Sequence, residues 1–160
     1  MLDRSGNRSG ADRAGAVMTQ TPSKIVYTAR ATATGGRQGH STTDDGVLDV
    51  ALATPKEMGG PGGATNPEQL FAAGFAACFQ GAMGLAAKKA GVDTSKSKVT
   101  AEVGFGPEGQ SYAITVDLTV AIPGVDVAQA QELADAAHQL CPYSKATRGN
   151  VPVTVKAVQA

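Results

Sequence analysis

Tryptophan is absent from this 160-residue chain, and aromatic residues make up only 4% of it. Large rings therefore cannot carry the core, and the abundant alanine and glycine must pack it by close backbone approach. Net charge is absent too, because fourteen basic residues cancel fourteen acidic ones. Without an excess of one sign the chain offers no polyanion-binding surface, which argues against nucleic acid as a partner. Only two cysteines are present. That is too few for the dense disulfide framework of a small secreted domain, and no secretory signal precedes them. The expected setting is a reducing cytoplasm, where two cysteines are either buried structural thiols or a redox pair.

The length fits one domain with a real core. Residues 1–20 are rich in Gly, Ser, Arg and Asp and lack apolar periodicity, so they read as a disordered extension. Residues 21–160 read as a single domain without internal repeats. From Ile25 to Thr34 apolar residues alternate with polar ones, the period of a half-buried strand. Gly35, Gly36 and Gly39 then enclose Arg37 in a turn, and Asp44, Asp45 and Gly46 precede a second strand over Val47–Leu52.

Asn66 and Pro67 announce a helix, with Glu68 in its first turn and Lys88 and Lys89 near its end at Gly91. Its stretch from Leu70 to Ala87 runs eighteen residues without a charge, the length of a marginal membrane span. Gln80, three glycines and many alanines make it weakly hydrophobic, so a helix buried on every side within a protein is expected, not a membrane segment. Strands follow over Val99–Phe105 and Tyr112–Ile122, the second alternating cleanly with Tyr112, Ile114, Val116, Leu118, Val120 and Ile122 inward. Val127, Ala130, Ala134, Ala137 and Cys141 share one face of a second helix, which Pro142 stops, and a last strand spans Val151–Val158. The fold class is α+β, with antiparallel sheets wrapped around two central helices.

Cys78 lies ten residues into the apolar helix, among Phe75, Phe79 and Ala82. It is either a small core hydrophobe, inert because burial raises its pKa, or one of two core-facing thiols that meet, since Cys141 is in phase on the other helix. Peroxide chemistry needs the thiolate. A thiol with pKa near 8.5 is only about 3% ionised at pH 7, and one near 6 about 90%. A buried thiolate therefore needs a cation, and Arg37 in its glycine-flanked turn is the candidate, its alternative being a solvated arginine. Glu68 suits a helix N-terminus and could also hold that arginine. On one straight helix it stands about 15 Å from Cys78, so it reaches a thiol only if the chain bends or a second subunit supplies that thiol. His138, three residues before Cys141, raises a metal pair or a Cys-His hydrolase. Without a C-x-x-C element the metal signal is weak, and no oxyanion device is visible. His40 reads as a surface residue.

The strings ATNPEQLFAAGFAACFQGAM at 64–83 and CPYSKATRGN at 141–150 closely resemble the organic hydroperoxide resistance branch of the OsmC/Ohr family. TATGGRQG at 32–39 and DGVLDVALATPKEMGG at 45–60 extend the likeness from about Tyr27 to Val158. One position departs, with Lys145 standing where the family string has asparagine. The resemblance implies an intertwined homodimer with two sites at its interface and no metal or prosthetic group. It implies that Cys78 is the peroxidatic cysteine and Cys141 the resolving one, with Arg37 and Glu68 polarising the thiolate and binding peroxide. It further implies a role in oxidative stress defence. The implied substrates are organic and fatty-acid hydroperoxides, and the implied reductant is a dithiol carried by lipoylated proteins. Phe75, Phe79 and Met83 would then favour alkyl chains near Cys78. Two rivals remain, a redox-responsive binding protein using the same disulfide and a hydrolase using Cys78 with His138.

Overall fold

The computed structural model describes residues 19–160, so the extension expected over residues 1–20 lies outside the described residues except for Thr19 and Gln20. The first strand is shorter than its alternation suggests. β1 spans Ala31–Thr34, while Ile25, Val26 and Tyr27 stay 65%, 88% and 78% exposed. Alternation gives residues 25–30 the capacity for a strand, but only the Arg30 carbonyl, accepting from the Asp44 amide at 3.2 Å, is bonded toward the sheet, and among the described residues no strand pairs with residues 25–29. β1 joins β2 (His40–Thr43) and β3 (Asp49–Ala51) in an antiparallel sheet of order β1-β2-β3. β2 has no apolar period in its HSTT and was not expected, and β3 is shorter than the strand expected over Val47–Leu52. His40 pairs across the sheet with Asp49.

Asn66 opens α1 (Pro67–Ala90) by accepting a hydrogen bond from the Gln69 amide at 2.8 Å, with proline at the first turn. Gly91, at φ 68°, closes it in the left-handed conformation, and Lys88 and Lys89 lie at the negative end of the dipole. One face buries Phe75, Phe79, Ala82, Met83 and Ala87. Each of the three large side chains is fully enclosed, a gain on the order of 1.5–3 kcal/mol apiece. The helix is not buried on every side. Ala73, Ala77 and Gly81, spaced by four, form an exposed small-residue stripe, which the exposed Leu85 continues. Although α1 is long and apolar enough to cross a membrane, it packs on the second sheet, and Gln80 donates to the Ser97 carbonyl at 2.9 Å.

β4 (Lys98–Glu108) and β5 (Ser111–Ala121) form the expected hairpin, β4 longer at both ends than its alternation marked and β5 beginning and ending one residue earlier. β6 (Val153–Val158) adds beside β5 in parallel, so the second sheet is mixed where an antiparallel one was expected. A strand returning after two helices can lie in either direction, and the residue pattern does not choose. Val116, Leu118, Val120 and Ile122 face α1 and α2 (Val127–Leu140), whose Ala130, Leu133, Ala134 and Ala137 complete the core. Tyr112 shares the face of β5 that turns inward but is 63% exposed at its outer end.

Candidate active site

Pro142 does two things at once. It disfavours a helical conformation at the preceding residue, and Cys141 accordingly adopts φ −64°, ψ 123° between two helices. It then opens α3 (Pro142–Thr147), a short helix the sequence reading did not contain. Cys141 thus sits at a corner with its side chain fully buried. Two side-chain contacts brace that corner. His138 Nδ1 lies 2.8 Å from the buried Ser144 Oγ, and Arg148 Nη2 donates to the His138 carbonyl at 2.6 Å. Burial, and then the Arg148 charge, push the His138 imidazole below its ordinary pKa. Lys145, the departing position, is exposed to solvent.

Cys78, midway along α1, faces the same interior. Its Sγ is 3.5 Å from the Cys141 Sγ, and both are free thiols. Of the two, Cys78 is the partly exposed one. Burial pushes its pKa up, the backbone N–H of Tyr143 works against this by favouring the anion, and the Cys141 sulfur adds to the rise. Tyr143 also closes an aromatic cluster with Phe71 and Phe75, its ring centroid 6.1 and 5.8 Å from theirs. A side chain at Gly74 would meet the Tyr143 hydroxyl at 3.1 Å, so the glycine makes room for the ring. Phe75, Phe79 and Met83, expected to line a substrate path, are fully enclosed core residues. The half-open aromatic surface near the thiols belongs to Phe71 and Tyr143 instead.

Arg37 lies in a single 3-10 turn, Gly36–Gln38, after Gly35 at φ 71°. The turn closes tightly, since a Cβ on Gly39 would fall 1.8 Å from the Thr34 carbonyl oxygen. From it the Arg37 guanidinium forks onto Glu68. Nη1 donates to Oε2 at 2.9 Å and Nη2 to Oε1 at 2.6 Å. The pairing holds the Glu68 carboxyl below its ordinary pKa and raises that of Arg37, so both are charged at neutral pH. The guanidinium carbon of Arg37 lies over the Phe105 ring.

Two pairs have thus formed, and α1 keeps them apart. It is continuous from Pro67 to Ala90, without the bend that would bring Glu68 to its own thiol. Ten residues of helix separate Glu68 from Cys78 by about 15 Å. The groups that act on the Cys78 thiol are burial, the Tyr143 amide and Cys141, while Arg37 answers to Glu68. Among the described residues no three His, Cys, Asp or Glu side chains cluster as metal ligands.

Residues 60–156 match the family model of OsmC-like proteins. The chain belongs to the OsmC family. That match takes in Glu68 and both cysteines of this OsmC-family chain and begins after Arg37. The organic hydroperoxide resistance protein of Xanthomonas axonopodis pv. citri is 52% identical over 137 residues, covering 84% of this chain and 96% of its own. Among solved structures, the organic hydroperoxide resistance protein of Legionella pneumophila is 44% identical with a TM-score of 0.80, covering 86% of this chain and all of its own. OhrB of Bacillus subtilis is 45% identical with a TM-score of 0.77, covering 84% and 100%. The α+β architecture is therefore that of the Ohr structures in this family.

Proposed function

We propose that this chain is a cysteine-based peroxidase that reduces organic hydroperoxides to alcohols in defence against oxidative stress. The observation that carries the reading is the meeting of two free thiols from separate helices at 3.5 Å. Closing that gap to a disulfide needs an approach of about 1.5 Å. The names of the similar proteins support the choice of organic hydroperoxides as substrates.

Cys78 is the attacking sulfur because it is the more open of the two and has the Tyr143 N–H to favour its anion. Its thiolate displaces alkoxide from the O–O bond. The alkoxide takes a proton and leaves as alcohol, and the sulfur becomes a sulfenic acid. Cys141, the resolving thiol, displaces the sulfenic hydroxyl, which leaves as water with the Cys141 proton, and a Cys78–Cys141 disulfide forms. An external dithiol, of which a lipoyl group is the candidate, reopens it by exchange.

Within one protomer burial works against the Cys78 thiolate. Arg37 supplies the missing cation, with Glu68 fixing its fork, and it acts on the Cys78 of a second subunit. Three features support this arrangement. The helical separation of about 15 Å keeps the ion pair from its own thiol, α1 leaves a small-residue stripe exposed, and residues 25–29 lack a strand partner among the described residues. An intertwined homodimer uses all three. The reading places the protein in the cytoplasm, where dithiol reductants keep such a pair cycling.

Steady-state consumption of cumene hydroperoxide with dihydrolipoamide tests this reading. The parent chain turns over many times. Cys78→Ser consumes none, and Cys141→Ser completes one turnover and accumulates oxidised Cys78. A parent that stops after one equivalent is a sensor and not an enzyme, and equal multi-turnover rates for the two variants would remove the role assignment.

A further inference from the structure

The Arg37 guanidinium is held on two sides by groups of different kinds. Glu68 takes its edge through two hydrogen bonds. Its Cζ lies over the Phe105 ring, 4.9 Å from the centroid. Phe105 in turn stacks on Tyr112, their centroids 4.8 Å apart and their planes within 13°. The hairpin register makes this stack possible. Phe105 pairs with Ile114, and Pro107 with Tyr112, so Phe105 and Tyr112 are diagonal neighbours on one face of the sheet.

Core formation does not account for the stack. The same face is filled further in by Val116 and Leu118, both 1% exposed, whereas Tyr112 at the hairpin end is 63% exposed. The carboxylate alone cannot fix the guanidinium either. A fork on the end of a glutamate side chain still swings with the torsions of both residues. A ring against its face removes that freedom, because the cation is attracted to the π surface and the planes favour stacking. The ring also screens one side of the charge from water, which strengthens its field on the other.

We propose that Phe105, backed by Tyr112, is a positioning residue for Arg37. The stack sets the plane of the guanidinium, Glu68 sets its direction, and the remaining N–H groups are thereby presented to the Cys78 sulfur and the peroxide. The inference rests on the reading that Arg37 serves that thiol.

The test compares Phe105→Leu, Phe105→Tyr, Tyr112→Leu and Arg37→Ala in the full chain. The measurements are stopped-flow oxidation of Cys78 by cumene hydroperoxide, the pH profile of Cys78 alkylation, and thermal melting. Leucine keeps the apolar bulk but loses the π face. Phe105→Leu is expected to slow oxidation about tenfold and to move the alkylation midpoint to higher pH. Phe105→Tyr, which keeps the face, recovers most of the rate. Should Phe105→Leu fail to fold, the exposed Tyr112→Leu decides, with a slowing of about threefold expected. Slow Arg37→Ala beside a Phe105→Leu or Tyr112→Leu at parental rate and midpoint overturns the stack while sparing the role of Arg37. Equal losses in Phe105→Leu and Phe105→Tyr also overturn it, because they trace to shape and not to the π face. An Arg37→Ala with parental kinetics overturns both the stack and the site reading beneath it.

Discussion

Replacing Glu68 with glutamine keeps the length of the side chain but removes its charge and spoils half of the fork. In the native pair Nη1 and Nη2 each donate to a different carboxylate oxygen, at 2.9 and 2.6 Å. Glutamine leaves one acceptor and sets an NH2 group against the second donor. The side chains are 37% exposed for Arg37 and 15% for Glu68. The loss therefore falls between an exposed ion pair, about 0–1 kcal/mol, and a hydrogen bond to a charged group, about 1.5–3 kcal/mol. About 1–2 kcal/mol is the resulting figure, a factor of roughly 5–30 in the population of correctly held arginine. Stopped-flow oxidation of Cys78 by cumene hydroperoxide should slow by that factor. Glu68 also lies in the first turn of α1, where loss of an anion costs roughly 0.3–1 kcal/mol of stability, so a small fall in melting temperature accompanies the change. The acid dependence has a definite sign. Arg37 depresses the folded pKa of Glu68, so the fork contributes fully above the ordinary glutamate value of about 4.3 and is lost as pH falls through the depressed one. Glu68→Gln should lack that acid limb. A rate within about twofold of the parent at neutral pH would refute the reasoning that the fork orients Arg37 for catalysis.

Sites built from two subunits can be complemented. Arg37→Ala and Cys78→Ser chains co-expressed at equal levels should recover about a quarter of parental activity, since half of the dimers are mixed and each has one intact site; no recovery would place Arg37 and Cys78 on the same chain. Gly39→Ala drives a methyl into the Thr34 carbonyl, 1.8 Å away, and should cost about 2–4 kcal/mol of stability by forcing open the turn that carries Arg37; thermal melting checks it, and an unchanged midpoint would contradict the close approach.

Local chemistry made much of this molecule legible. Asn66 and Pro67 mark the start of α1 because a polar cap and a proline suit no other place so well, and Gly91 marks its end. The phase of Ala130, Ala134 and Ala137 with Cys141 marks the inner face on which the second thiol lies. The ten residues between Glu68 and Cys78 left either a bend in the chain or a second subunit to bring them together, and α1 runs without that bend. What escaped the sequence depended on partners distant along it. β2 exists because β1 and β3 flank it, and its HSTT carries no period of its own. The parallel direction of β6 is set by the path through α2 and α3. Pro142 reads as a stop, yet the same fixed φ that ends α2 suits the start of α3. That short helix brings the Tyr143 amide to Cys78. The Phe105–Tyr112 stack follows from hairpin register, and the hairpin turns at Gly109 and Gln110, beyond Phe105 where the alternation ended the strand. The stretch from Ile25 to Ala29 shows the opposite failure, an alternation that forms no strand because no strand among the described residues lies beside it.

The most direct test of the thiol chemistry is to add one equivalent of cumene hydroperoxide to the reduced protein, block remaining thiols with an alkylating agent, and map the peptides by mass spectrometry. The account predicts a single cross-linked pair joining the peptides of Cys78 and Cys141, with an equivalent of alcohol released. Recovery of both cysteines in alkylated form, with the hydroperoxide unconsumed, would contradict it.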